Sequence, residues 1–462
     1  MSGFSGVDRR NVMTGMAAML AISSPLRAQR RGGKAIIIGA GAAGLSCARH
    51  IKQAGMDVVV LEAQDRIGGR LKTSHTWQDM PVELGASWIH GLQGNPAVEL
   101  VQASGLNLLP TDYDNTQVYS EFEGILEGGA LNRLEEMERR LLRFAENAPG
   151  GNLESDCRSR PRGSLKKRLV RLMRLESPSV SKRRRGLFLL NTEVEHEFGA
   201  DFEELSRCFW AEGNDQYGGD AIVTGGLDRL MMNLAEGLDI RLSQAVQRIE
   251  HSQTGVIVST QSGSESADVV VVTIPLGVLQ GGGVEFSPAL PSSKDTAIQS
   301  LGSGLLNKCI LRFDESAWPE APEIFNRVAD ERGAWTEFLN LSSYGQGPAL
   351  MAFNAGSYAR YLEQYTDEET VAEAVHALRG MFGANFPDPI SAQVTRWAQD
   401  PNALGSYSYP SEDTRWDTRI RLLEPVDQRL FFAGEATSTH APGTLHGAIL
   451  SGRAAANAVV ER

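Results

Sequence analysis

The stretch Ala35–Arg70, AIIIGAGAAGLSCARHIKQAGMDVVVLEAQDRIGGR, reads in direct succession as strand, glycine turn, helix and second strand. Ala35–Ile38 is the short apolar run of a buried parallel strand, and Gly39, Gly41 and Gly44 follow it at G-x-G-x-x-G spacing. Gly39 permits a tight turn, Gly41 lets a pyrophosphate approach the backbone ahead of Ala43, and Gly44 lets the helix lie close on its strand. The helix, stopped at Gly55, turns the positive end of its dipole toward the phosphates. Val58–Leu61 forms the second strand and ends in Glu62, 18 residues past Gly44. A carboxylate there accepts from both ribose hydroxyls and repels a 2′-phosphate, which points to a non-phosphorylated dinucleotide. The glycine spacing alone is weak evidence, and a mononucleotide-binding or empty unit is the alternative; strand, helix, second strand and acidic end together favour the dinucleotide.

After Glu62 and Ala63 comes a second glycine turn, Arg66-Ile67-Gly68-Gly69-Arg70, whose guanidinium can reach the same pyrophosphate. With Glu83–Gly91 (ELGASWIHG) and Phe432–Gly452 (FAGEATSTHAPGTLHGAILSG), these motifs resemble the flavin amine oxidase family of polyamine oxidases, monoamine oxidases and histone lysine demethylases. The resemblance runs from about Lys34 to the C-terminus and is nearest to the polyamine oxidase branch. It implies a two-domain α/β flavoprotein with a Rossmann-like FAD domain assembled from residues 32–92, 218–290 and 398–462. Residues 93–217 and 291–397 would form a substrate domain of mixed sheet and helices.

The resemblance also implies roles residue by residue. Gly85, Ala86, Ser87 and Trp88 return the chain to the cofactor after a hairpin around Trp77–Pro81, with Trp88 equally suited to packing. His90, in its Trp-Ile-His-Gly setting, stands at the active-site entrance or is a histidine held by core hydrogen bonds. Val246 binds the adenine through its backbone, or is a core valine. Lys308, on the same face of strand Leu305–Phe313 as Leu306 and Ile310, holds a water against flavin N5; an edge-strand lysine reaching solvent is the alternative. Trp397 and Tyr407 belong to the closing segment, with Tyr407 facing the flavin. Phe338 and Tyr344 are further aromatic candidates for the chamber, though core packing suits each better. Gly434 and Glu435 sit by the ribityl or pyrophosphate region, and the helix opening at Leu445 faces the flavin N1–C2=O edge. Ser406 stands where monoamine oxidases carry the cysteine that attaches their flavin, so FAD is expected to be noncovalent. Thr444 replaces a second tyrosine, leaving one wall of a two-tyrosine cage open.

With 462 residues, 42% hydrophobic content and a net charge of −12, the chain is long enough for two substantial cores. Cys47, Cys157, Cys208 and Cys309 are spaced as neither a disulfide framework nor a zinc site, and no metal is expected. Residues 1–31 read as a leader: Arg9-Arg10, the apolar run Val12–Ile22, Ser23-Ser24-Pro25, then Ala28. This resembles a twin-arginine export signal, imperfectly, since Asp8 precedes the arginines and Leu26 is large for a cleavage site; a disordered leader is the alternative. From Asn95 to about Gly218 the pattern is helical, clearest at Leu131–Phe144. Within it, 158–185 is densely basic, with Leu165, Leu169, Leu172 and Met173 on one helical face. That segment fits a peripheral contact with an anionic surface, or a solvated helix followed by a linker. No aromatic residues are interleaved for stacking on bases, so nucleic acid is not expected.

The implied reaction is oxidation of a C–N bond of a polyamine or related amine, with hydride passing to flavin N5, hydrolysis of the imine, and reduction of molecular oxygen to peroxide. An L-amino-acid oxidase or amine dehydrogenase is the alternative within enzymes, and a noncatalytic flavin-stabilised interaction protein is the alternative outside them. The oligomeric state is not readable.

Overall fold

The computed structural model describes residues 32–146, 157, 163–210 and 217–462. The leader with Arg9 and Arg10, and residues 158–162 at the start of the basic run, lie outside these residues.

Five parallel strands lie in the order Asp239–Arg241, Asp57–Leu61, Lys34–Ile38, Val269–Val272, Leu430–Phe432. Their apolar runs reflect burial on both faces, as parallel sheets require. Ala35, Ile37 and Val60 pack under the helices, while Ile36, Ile38, Val59 and Leu61 face Val246, Ile249, Val256 and Val258 of a four-stranded sheet. Helix Ala42–Gln53 crosses the C-terminal helix Leu445–Val460 closely, because Gly452 has no side chain: a Cβ there would stand 2.2 Å from the Ala43 carbonyl. The first glycine-turn unit and the C-terminal helix are thereby locked together around the crevice at the strand ends.

A seven-stranded sheet forms the second layer, in the order Ser391–Val394, Leu306–Arg312, Ala349–Ala355, Glu337–Asn340, Ile324–Val328, Thr116–Ser120, Gly124–Ile125. Strand Leu306–Arg312 has neighbours on both sides, so Lys308 is not an edge-strand lysine. Three strands, Asn107–Pro110, Thr116–Ser120 and Gly124–Ile125, interrupt the region expected to be helical throughout. Their short, mixed sequences lack a clear period of two; Asn107–Pro110 and Thr116–Ser120 find partners far along the chain, and Gly124–Ile125 pairs back on Thr116–Ser120. The amphipathic helix is present and longer than the pattern suggests, Gly128–Glu146.

Two further expectations need correction. Cys157 and Cys208 form a disulfide, with Cα atoms 5.7 Å apart across 51 residues. Spacing along the chain could not show this, because the fold of the helical insertion makes the pair neighbours. In the basic run, helix Lys166–Leu172 is only seven residues long, and Leu165, Leu169 and Met173 are buried in the insertion's own core. Its apolar face is therefore not available to a membrane. Arg184 pairs with Asp330, and buried Arg185 pairs with Glu123, which leaves Lys166, Lys167, Arg171 and Arg174 exposed.

Candidate active site

A cavity of about 710 Å³ runs from the first glycine turn, across the ends of the parallel strands, to the face of the seven-stranded sheet. Of the residues singled out in the sequence, Gly39, Gly41, Ala43, Glu62, Ala63, Gly69, Arg70, Gly85, Ala86, Ser87, Trp88, His90 and Val246 line it, as do Lys308, Trp397, Tyr407, Gly434, Glu435, Thr444 and Leu445. Gly44 does not. A Cβ at Gly44 would lie 1.9 Å from the Gly39 carbonyl, so this glycine serves the seating of the helix on its strand. Phe338 and Tyr344 also lie away from the cavity, in the cores of the substrate domain.

The cofactor end is built for a dinucleotide. Gly39 turns with φ +102° beneath Thr273. Helix Ala42–Gln53 starts at Gly41 without a side-chain cap, so its first amides are available to an anion. A Cβ at Gly41 would meet only the Gly68 carbonyl at 3.9 Å, and one at Gly434 nothing within 4 Å. The room beside both glycines is cavity, wide enough for a group to lie against the backbone. Glu62 is buried and accepts from the amides of Ala40 at 2.7 Å and Gln64 at 2.9 Å, which fixes its carboxylate at the cavity wall. These residues fit FAD.

Arg66 does not reach into the cradle. Its guanidinium donates to the carbonyls of Ile67, Gly69 and Leu71 and holds the second glycine turn in shape. Arg70 is the arginine of this turn that lines the cavity, donating to Glu435 at 3.0 Å and to the Ser406 carbonyl at 2.8 Å. Buried Glu435 also accepts from Ser408 Oγ at 2.7 Å and the Gly443 amide at 2.9 Å. Burial would raise its carboxyl, but Arg70, the Ser408 hydroxyl and Arg419 outweigh burial and hold it below the ordinary range. The pair ties the Arg70 turn to the C-terminal segment.

Where the layers meet, Lys308 is fully enclosed. Its Nζ donates to the Glu83 carbonyl at 3.0 Å, to Ser87 Oγ at 2.5 Å and to the Gly85 carbonyl. Burial pushes the ammonium down and the Glu83 carboxyl up, and each charge opposes the other's shift. Three acceptors match the three N–H donors of an ammonium, so these bonds and the Glu83 charge work for the charged form against burial. The indole of Trp397 donates to the Leu84 carbonyl at 3.1 Å, gripping the same loop. Tyr407 spends its hydroxyl on the His196 carbonyl and presents its ring to the cavity. Ser406 Oγ both accepts from the Leu306 amide and donates to the Leu306 carbonyl, at 2.9 Å each. Thr444 caps the C-terminal helix through the Gly447 amide at 3.0 Å.

The far end was largely invisible in the sequence. His90 Nδ1 meets Asp220 Oδ2 at 2.8 Å, and Tyr113 donates to the same oxygen at 3.0 Å. Burial works against protonation of His90, but the Asp220 hydrogen bond and charge prevail and raise its pKa. Glu193, Glu197, Glu337 and His196 complete this wall, and Phe353 lies between the two ends, its ring 5.6 Å from Trp88. A π-helical turn, Asn191–Glu195, carries Glu193. No local motif marks these residues, and only a three-dimensional contact map assembles them.

A sequence model described as flavin containing amine oxidoreductase matches residues 42–460. Polyamine oxidase 2 of Arabidopsis thaliana is 35% identical over 463 residues, covering 97% of this chain and 92% of its own. Polyamine oxidase 4 of Oryza sativa subsp. japonica is 34% identical over 436 residues, covering 91% and 87%. A histone demethylase relative, lysine-specific histone demethylase 1 homolog 2 of the same rice, is 35% identical, but the match spans only 58% of its length. Among solved structures, a putrescine oxidase bound to putrescine superposes with a TM-score of 0.77 at 18% identity, covering 93% of this chain and 99% of that one. With a two-domain α/β fold and a cradle that fits FAD, the chain belongs to the flavin-containing amine oxidoreductases, enzymes that act on the C–N bond of amines.

Proposed function

We propose that this protein oxidises a polyamine or a related secondary amine, with FAD held noncovalently and oxygen as the electron acceptor. The observation that carries the proposal is the continuity of one cavity, from the dinucleotide cradle past Lys308 to a wall of carboxylates. Bound in the cradle, FAD supplies the two-electron acceptor for the hydride leaving the carbon beside nitrogen. Glu62, Arg70, Glu435 and the uncapped helix start hold it. Tyr407 and Trp397 wall the reacting end and exclude water, which favours the unprotonated amine. Lys308 keeps a positive charge where the oxygen half-reaction develops negative charge.

Two observations support the finer points. The Ser406 hydroxyl, in the position of an attaching cysteine, is committed to the Leu306 backbone and offers no covalent link. An amino-acid oxidase needs a guanidinium for the substrate carboxylate, and among the described residues the arginine that lines the cavity is Arg70, at the cofactor end and paired with Glu435. Export through the Arg9-Arg10 leader is favoured by the Cys157–Cys208 disulfide, which suits an oxidising compartment.

Peroxide release over a panel of spermine, spermidine, their acetyl forms, benzylamine and L-amino acids tests the reading. A higher kcat/KM for the polyamines is expected; faster turnover of benzylamine or amino acids overturns it.

A further inference from the structure

Tyr407 donates its hydroxyl to the His196 carbonyl, so a ring that lines the cavity is tethered to a segment 211 residues earlier in the chain. His196 opens a short helix, His196–Phe198, that continues the π-helical turn Asn191–Glu195 and stops at Gly199 in the left-handed region, φ +61°. Carbonyls at a helix end need partners from outside the helix, and Tyr407 supplies one. A Cβ at Gly199 would lie 2.8 Å from the Leu305 amide, and the Gly199 carbonyl accepts from that amide at 2.6 Å. The Ser406 amide donates to the Gly304 carbonyl at 2.7 Å, and Gly304 pairs with Tyr407 in an antiparallel ladder. The end of the turn and the backbone of Tyr407 are thus both fixed to Gly304 and Leu305, and the tyrosine hydroxyl closes the triangle.

What holds the turn in place lies on its other side. Thr192, Glu193, His196 and Glu197 line the cavity, whereas Asn191, Val194 and Glu195 are buried away from it. Thr336 Oγ1 donates to Asn191 Oδ1 at 2.5 Å, and Asn191 Nδ2 donates to Glu195 Oε2 at 2.8 Å. The other carboxylate oxygen of Glu195 accepts from the Phe202 amide at 3.2 Å and from Arg332 Nη2. Arg332 also forks onto Glu203, at 2.9 Å and 2.6 Å, with its guanidinium carbon 4.4 Å from the centre of the Phe202 ring. Asn191, Glu195 and Thr336 are each no more than 2% exposed.

Stability alone does not account for such a network. A buried ion pair adds little over apolar residues of the same volume, because desolvation offsets most of the attraction. A polar network with its bonds satisfied does, however, hold one geometry and disfavour others. The geometry held here is that of a π-helical turn, a distortion of the regular helix that recurs at functional sites. Its last carbonyl before the helix end is the one that Tyr407 meets.

We infer that Glu195 and Arg332 are positioning residues for amine oxidation: through the π-helical turn they set the His196 carbonyl, and through that carbonyl the Tyr407 ring, without lining the cavity themselves. This rests on the place of Tyr407 at the reacting end in the function proposed above. Arg332 is 137 residues from Glu195 along the chain, so the pair forms only in the folded protein. Its effect on the reaction passes through one hydroxyl, which makes that hydroxyl the place to test it.

The test is a double-mutant cycle in the FAD-loaded enzyme, Arg332→Met against Tyr407→Phe, read as the limiting rate of anaerobic flavin reduction by spermidine. Loss of the one hydrogen bond at the tyrosine should slow reduction about tenfold in either single variant. In the Tyr407→Phe background, Arg332→Met should then change the rate less than about twofold, because the tether it acts through is already gone. Thr336→Val removes one hydroxyl from the same network; it is the milder variant should Arg332→Met fail to fold, and it should show the same coupling to Tyr407→Phe. Equal slowing in both backgrounds, or a lower thermal midpoint with an unchanged reduction rate, would overturn the assignment and leave the network a scaffold. If spermidine does not reduce the wild-type enzyme, the proposed function fails separately, and the cycle is read from the visible circular dichroism of the bound flavin. A spectrum altered by either single variant and no further by the pair sustains the assignment; independent changes, or none, overturn it.

Discussion

Lys308→Met keeps the length and apolar stem of the side chain and removes its charge. The structure separates two consequences. First, the substitution strips donors from the Glu83 carbonyl, the Gly85 carbonyl and Ser87 Oγ. Hydrogen bonds to a charged group are worth about 1.5–3 kcal/mol each. Relief of the cost of burying the ammonium offsets several kcal/mol of that loss, leaving a net destabilisation of about 3 kcal/mol. The second consequence is kinetic. A preorganised positive charge at the site of oxygen reduction is worth about 3 kcal/mol, or on the order of a hundredfold in rate. Thermal unfolding and flavin retention report the first effect. Stopped-flow reoxidation of the amine-reduced holoenzyme by oxygen reports the second, and anaerobic reduction by the amine should change much less. If the variant keeps its flavin and reoxidises at the wild-type rate, Lys308 is a strut for the Glu83–Ser87 loop and has no part in the chemistry.

Gly41 and Gly44, three residues apart, should fail in opposite ways: Gly41→Val should fold but lose FAD affinity at least tenfold in apoprotein titrations, because its side chain enters the cavity. Gly44→Ala should lower the yield of folded protein, because its Cβ would meet the Gly39 carbonyl at 1.9 Å. Asp220→Asn tests the His90 pair through pH. His90 is raised above its ordinary 6.5, so its contribution is full below that pH and fades as pH climbs through the raised value; Asp220 is depressed below 3.8, so its contribution is full above that pH and fades as pH falls through the lowered value. The stability gap between wild type and Asp220→Asn should be greatest between those two ordinary values, and a gap independent of pH would contradict the pairing. Replacing Cys157 and Cys208 by serine should destabilise the fold by about 4 kcal/mol, the loop-closure value for a separation of 51 residues, measured as a lower thermal midpoint that reductant no longer shifts.

The cofactor half of the site was legible because its chemistry is local. A strand, three glycines, a helix and Glu62 form a continuous unit, and each fixes the geometry of the next. Lys308 was legible from the period of its strand, as a charge on an apolar face. What remained hidden depends on contacts between distant segments. Asp220 meets His90 from 130 residues away, and Glu337 comes to 3.8 Å from His196, just past the π-helical turn, only because the sheet places it one strand from Phe353. The disulfide was hidden for the same reason. In the basic run the solvated-helix alternative holds: Lys166, Lys167, Arg171 and Arg174 are exposed, while Leu165, Leu169 and Met173 are spent on the insertion's own core, a burial that only the packed fold shows.

The central claim is that the cradle and the acidic wall act on one molecule, so that a polyamine held at the wall delivers its hydride at the other end of the same cavity. Anaerobic mixing of the FAD-loaded enzyme with spermidine tests it most directly, by following loss of the oxidised flavin's visible absorbance. The account predicts complete bleaching within the time of one turnover, with a limiting rate at least as fast as steady-state kcat, and much slower bleaching by a monoamine of matched length. Flavin that stays oxidised in the presence of spermidine, or that is reduced faster by L-amino acids, would contradict it.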